Sequence, residues 1–281
     1  MNFKKTVAIA AAAGAFTALA IPAMAEITPY GSIRLLTFYD TTTPATKGGT
    51  ITNIGEPLAN TSRFGVRASD GALSAQVELG LNGGNLGAAY TPADTAFVYT
   101  RLMLATYKFD AGTLLVGQDY SKYWNPSARV FAGDDPNNGF GALYEGRQPQ
   151  LRFTLTNGLY FAAIKPVLGG TFGTDTLTIK LPKMNVGYDG AAGNVKFGGG
   201  AVYQTFRDKT AKQTVNSYLV YGKVGAVFGP AEIRTNLGYG QNLGNAGFTN
   251  TTGGATATDG LYSLAKDKDA KTLSGLSLIH I

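Results

Sequence analysis

A two-residue alternation of apolar and polar side chains, repeated in segment after segment, constrains this chain more than any other feature. Leu73, Ala75, Val77, Leu79 and Leu81 are interleaved with Ser74, Gln76, Glu78 and Gly80. Leu151, Phe153 and Leu155 alternate with Gln150, Arg152, Thr154 and Thr156, and Ile233, Thr235, Leu237 and Tyr239 with Glu232, Arg234, Asn236 and Gly238. Successive side chains of an extended strand point to opposite faces, so each segment is a strand with one apolar and one polar side. Read this way, the chain is expected to hold strands near 27–39, 62–69, 72–81, 97–108, 113–118, 149–156, 159–165, 177–188, 194–206, 216–228 and 231–240, with a twelfth starting near 261.

The connections carry more information than any one strand. Every second junction is short and has turn chemistry: Asp70-Gly71, Asp110-Ala111-Gly112, Asn157-Gly158, Asp189-Gly190 and Gly229-Pro230. The junctions between them, 40–61, 82–96, 119–148, 166–176, 207–215 and 241–260, are longer and polar. A barrel threaded through an outer membrane sorts its loops in this way, with short turns on one side and long loops on the other. A secreted β-sandwich also has alternating strands, but nothing in it requires that sorting. Several strands are also long enough for a tilted membrane strand of about 9–11 residues. Tyr30, Phe38, Tyr39, Phe97, Tyr107, Phe109, Tyr188, Phe206, Phe228 and Tyr239 gather at strand ends, where an aromatic girdle would lie. The expected fold class is all-β, an antiparallel transmembrane β-barrel with about twelve strands in this chain.

Composition narrows the function classes. Among 281 residues are 38 Gly, 15 Tyr and 15 Phe, with 15% charged residues, no Cys and one His. The absence of Cys excludes a disulfide framework, a thiolate metal site and a Cys nucleophile. The single His280 excludes a multi-His metal site and leaves a Ser nucleophile without a histidine base along the rest of the chain. Gly198-Gly199-Gly200 has neither the strand–loop–helix context nor the following Gly-Lys-Ser/Thr of a phosphate loop, and glycines in barrels make room for neighbouring aromatics. Asp134-Asp135 with Asn137 and Asn138 lacks the closing Glu of a dedicated calcium loop. The expectation is therefore no enzyme, no cofactor and no metal. Scattered lysines and no recognised module argue against nucleic acid as a partner.

The first 25 residues read as an export signal. Lys4 and Lys5 precede a small apolar run from Val7 to Ile21, and Ala23-Met24-Ala25 supplies a small-x-small cleavage site before Glu26. The run is shorter than the roughly 20 residues a membrane helix needs. Removing it would lower the net charge from +6 to +4.

Three stretches resemble Gram-negative general diffusion porins. Ile27-Thr28-Pro29-Tyr30-Gly31-Ser32-Ile33-Arg34 is similar to the first porin strand. Thr61-Ser62-Arg63-Phe64-Gly65-Val66-Arg67 followed by Asp70-Gly71 resembles the Ser-Arg-Phe-Gly strand and turn, and Leu115-Val116-Gly117-Gln118-Asp119-Tyr120 resembles the run before the constriction loop. The return Arg147-Gln148-Pro149-Gln150 looks typical of some subfamilies. The resemblance implies a sixteen-stranded barrel, usually a homotrimer, passing small hydrophilic solutes by diffusion. The expected setting is the bacterial outer membrane, with membrane lipid and lipopolysaccharide as surroundings. The chain departs from the porin pattern at its end, where Leu276-Ser277-Leu278-Ile279-His280-Ile281 reads like a translated sequencing adapter rather than a closing strand with a terminal aromatic. The expected organisation is a signal peptide 1–25, a porin barrel 26–275 incomplete at its C-terminus, and a non-biological tail 276–281; a smaller, complete barrel is the other reading, since even strand numbers are allowed.

Candidate functional residues follow from the same resemblance and alternation. The resemblance implies that loop 119–148 folds inward as a constriction, bringing Asp119, Arg129, Asp134, Asp135, Glu145 and Arg147 to the pore. Polar-face charges expected on the pore wall are Arg34, Arg63, Arg67, Glu78, Arg152, Lys196, Lys223, Arg234 and Glu232. Turned toward lipid, such charges would cost roughly 2–4 kcal/mol each at the midplane. Their basic excess leads to an expected mild anion preference. A substrate-specific channel and a structural or adhesive barrel are the alternatives to general diffusion.

Overall fold

The alternating segments pair with their sequence neighbours, as strands joined by short turns must. The computed structural model describes residues 26–34, 38–42, 51–55, 62–82, 97–123, 143–168, 177–248 and 268–281. Their strands are β1 (Glu26–Ser32), β2 (Phe38–Thr42), β3 (Ile51–Gly55), β4 (Arg63–Asp70), β5 (Leu73–Asn82), β6 (Phe97–Phe109), β7 (Gly112–Tyr120) and β8 (Arg147–Leu155). There follow β9 (Leu159–Ile164), β10 (Leu177–Thr178), β11 (Lys183–Ala192), β12 (Val195–Asp208), β13 (Gln213–Phe228), β14 (Ala231–Gln241) and β15 (Lys271–His280). One antiparallel sheet runs β1-β4-β5-β6-β7-β8-β9-β11-β12-β13-β14-β15, with β10 attached to β12 and β2–β3 forming a separate hairpin. Twelve strands thus lie on the main path. In this order β1 and β15 stand at opposite ends. The expected signal peptide 1–25 lies outside the described residues, and no described helix is long and apolar enough to cross a membrane.

Register assigns the two faces. Arg63, Gly65 and Arg67 on β4 pair with Gly80, Glu78 and Gln76 on β5, so one face carries the polar set. The other carries exposed apolar side chains, among them Val66, Val77, Met103, Leu151, Phe161, Val186, Val220 and Leu237. Large side chains left bare along most of the strands suit a lipid-facing surface. Tyr107, Phe109 and Phe153 stack in a row at the turn end, at 6.2 and 5.3 Å between rings. Tyr30 and Phe206, expected in that girdle, instead lie on the polar face: Tyr30 bonds to Glu78 and Gln76, and Phe206 is buried against Val215.

Four other expectations are corrected. The turn expected at Asp189-Gly190 falls at Gly193-Asn194, where Gly193 has φ 58°, while Asp189 and Gly190 pair with Gly198 and Phe197 inside the β11–β12 ladder. Asp-Gly is turn chemistry, but here the Asp is needed on the polar face. The junction expected as a long loop at 207–215 is a tight turn, because the Asp208 carboxylate accepts the backbone N–H groups of Thr210 and Ala211 at 2.8 and 3.1 Å. The strand expected over 177–188 breaks into β10 and β11 at Pro182, which has no N–H for a ladder. The strand expected over 27–39 is likewise divided, with β1 ending at Ser32 and β2 beginning at Phe38.

The twelfth path strand, expected to start near 261, begins at Lys271; 261–267 lie outside the described residues. On β15, Leu276 and Leu278 occupy polar-face positions opposite Asn236 and Arg234, and Ser277 takes an outward one. The polar–apolar alternation is inverted at 276–278, whereas Leu273 and Ile279 face outward and Ser274 and His280 inward.

Candidate channel lining

The polar face is organised by tyrosines lying over glycines. Tyr30 pairs with Gly65, Tyr99 with Gly80, Tyr160 with Gly187 and Tyr221 with Gly200. A Cβ on any of these glycines would collide with the tyrosine opposite. Tyr160, Gly187, Gly200 and Tyr221 form one register row across β9, β11, β12 and β13, and the two rings lie across the bare glycines until their hydroxyls meet. Asn185 Oδ1 accepts from Tyr221 at 3.2 Å.

A second device is a β-bulge. The β5–β6 register shifts between Glu78 and Leu79, which pair with Leu102 and Thr100 and leave Arg101 unmatched. Strict alternation from Leu102 would turn Arg101 to the apolar face. The extra residue re-aims it inward, where it is 1% exposed. Its Nε donates to Glu78 at 2.7 Å, and its terminal nitrogens donate to Tyr99 and Tyr120 at 3.4 and 3.1 Å. Glu78 also accepts from Tyr30 at 2.9 Å and lies 3.8 Å from Arg63. Arg67 sits 4.5 Å over the Tyr30 ring. Arg34, just past β1, exchanges backbone bonds with buried Ser62: its N–H donates to Oγ at 2.9 Å, and Oγ donates to its carbonyl at 3.2 Å.

Asp119 and Arg147 belong to β7 and β8, so the connection is shorter at both ends than expected. Asp119 accepts from Arg152 at 2.7 Å, and Arg147 donates to Tyr120 at 2.8 Å. Arg129, Asp134 and Asp135 lie outside the described residues. The described ends of the β7–β8 connection reach the polar face of distant strands. Lys122 donates to Asp189 of β11 at 2.9 Å, and the same carboxylate holds Lys223 of β13 at 3.0 Å. The Glu145 side chain is fully buried and takes Lys183 of β11, Tyr123 and, at 2.7 Å, Ser121. Leu143 and Tyr123 are buried with Val202, Leu219, Leu243 and Phe248. Lys196 and Arg234 occupy polar-face positions opposite Gly225, and Arg234 bonds to Glu232.

Sequence reasoning missed Arg101, Lys183 and Asp189, while Lys122 was expected among the charges of the loop. The bulge hid Arg101, and the apparent Asp-Gly turn hid Asp189. Lys183 follows Pro182 and, by sequence alone, reads as one residue of a longer strand. A clue was present for the buried patch: Tyr218, Leu219, Val220 and Tyr221 run without alternation, as in a strand covered on both faces. Among the described residues no group of three or more metal-type ligands occurs.

An antiparallel sheet with one lipid-type face and one polar, loop-covered face is the fold of outer-membrane β-barrels. Among solved structures, the outer membrane channel DcaP of Acinetobacter baumannii is similar, with a TM-score of 0.62 at 16% identity, over 91% of this chain and 73% of that one. A loop L8 deletion mutant of OmpT, an outer membrane protein of Vibrio cholerae, matches with a TM-score of 0.43 at 15% identity over 77% and 70%. OpdK from Pseudomonas aeruginosa, also an outer membrane protein, matches with 0.31 at 13% identity over 76% and 66%. No protein-family model and no curated protein sequence matches the chain.

Proposed function

We propose that this protein is an outer-membrane channel for small hydrophilic solutes, narrowed by the β7–β8 connection. One observation carries the reading: both described ends of that connection are fastened to the polar face across the sheet, by Lys122 to Asp189 and by Glu145 to Lys183. A loop with no role inside a barrel would have no reason to place a carboxylate and an ammonium there. The DcaP likeness supports the same class of protein. Lipid and lipopolysaccharide surround it in this reading, small solutes are its cargo, and assembly as a homotrimer and cleavage of 1–25 belong to the proposal.

The full-length chain, purified in detergent and added to planar bilayers, is expected to give discrete open-channel current steps. Steady insertion without current would overturn the reading in favour of a structural or adhesive barrel. Selective transport has its own support in the buried Tyr123, Leu143, Leu243 and Phe248 cluster, which fills space a wide diffusion pore would leave open. Saturable block of the current by one solute class, with others inert, would favour that second reading.

A further inference from the structure

A second inward segment lies on the same face, in the β14–β15 connection. After β14 the chain turns at Asn242, whose backbone is left-handed at φ 51°, into a single turn of 3-10 helix, Leu243–Ala246. Three of its carbonyls are held by side chains from three neighbouring strands. Ser217 of β13 donates to the Asn242 carbonyl at 2.8 Å, Gln204 of β12 to Asn245 at 3.2 Å, and Lys183 of β11 to Ala246 at 2.7 Å. The Asn242 side chain fixes the base, donating to Asn216 and Asp269 at 2.9 and 2.7 Å and accepting from the Ala270 N–H at 2.9 Å. Leu243 and Phe248 are 2% and 6% exposed, packed in one cluster with Tyr123 and Leu143.

Backbone carbonyls inside a protein need partners. Here the wall strands supply one each, in register, so the seat is built into β11, β12 and β13. Lys183 links it to the other loop, because the same buried ammonium also takes the Glu145 carboxylate. An ammonium has three donors and can serve both.

We propose that 242–248 is a second constriction element, seated permanently on β11–β13. It withdraws that side of the lumen from the permeation path and confines solutes to the side lined by β4–β8. Lys183 is the positioning residue that sets this turn and the return of the β7–β8 connection together. The proposal rests on the channel reading and deepens it.

The test uses the full chain in planar bilayers with two variants. Lys183→Met removes the shared tether; the double variant Leu243→Ser, Phe248→Ser loosens the turn and its apolar packing on Tyr123 and Leu143 but keeps both partners of the Lys183–Glu145 pair. Each is expected to raise single-channel conductance by roughly twofold, since ion flow follows the open cross-section. The natural chain has no Cys, so Ala246→Cys reports on the seat with a water-soluble thiol reagent. Labelling should be slow in that single variant and about tenfold faster when Lys183→Met is added, as local opening becomes easier. Wild-type protein that inserts but passes no current overturns the channel reading and this constriction together. Wild-type current that neither variant changes overturns the constriction alone, as does rapid labelling of Ala246→Cys with Lys183 intact.

Discussion

At the scale of single residues, the polar face depends on a few side chains whose partners are fixed. Arg101 is 1% exposed and its carboxylate partner is Glu78. Removing one member of a buried pair strands the other, at a cost of about 3–5 kcal/mol. Glu78→Ala should therefore lower the free energy of denaturant unfolding in detergent by that order, and adding Arg101→Met should recover much of the loss. Equal losses for the single and the double variant would show that the pair is not the stabilising contact. Glycines give a second contrast. At Gly187 a Cβ would meet the Tyr160 ring and the Gly199 carbonyl, whereas at outward-facing Gly222 it would meet only the Gly198 carbonyl, at 4.0 Å. Gly187→Ala is expected to cost roughly 1–3 kcal/mol through overpacking, with Gly222→Ala close to neutral in the same unfolding measurement.

At the scale of elements, the β7–β8 connection acts through its ends. Asp189 of β11 holds both Lys122 and Lys223. Asp189→Asn removes the one negative charge between two ammonium groups, so the loop end should loosen and the local field become more positive. Reversal potentials under a KCl gradient should shift toward anions; no shift would mean that Asp189 does not face the permeation path. The strands themselves were largely legible, because alternation reports burial on each side. β4, β5, β6 and β14 lie within two residues of the expected bounds. What misled the reading was local chemistry serving a second purpose: an Asp-Gly pair inside a strand, and Asp208 closing a turn where a loop was expected.

For the whole molecule, the proposed channel would take the sign of its selectivity from the balance of charge on the polar face. Against Glu78, Asp119, Asp189, Asp208 and Glu232 it carries Arg34, Arg63, Arg67, Arg101, Arg152, Lys183, Lys196, Lys223 and Arg234. Low-dielectric walls focus the field of such charges into the channel. A mild anion preference is expected, strongest in dilute salt and fading as the screening length falls from about 30 Å at 0.01 M to about 10 Å at 0.1 M. Arg63→Gln with Arg67→Gln should reduce it in reversal-potential measurements. A cation preference in the wild type, or no response to the double change, would remove these arginines as the selectivity element.

The amino-acid sequence alone determined the all-β character, the antiparallel order and which strand face meets lipid, because each follows from a local period of two and from turns between neighbours. The tertiary structure decided which polar-face residues act together. Lys122 and Asp189 are 67 positions apart, and Lys183 and Ala246 are 63 apart. Alternation says which face a side chain takes, but it carries no information about which loop folds back over that face. Only the closed set of hydrogen bonds between loop carbonyls and wall donors does.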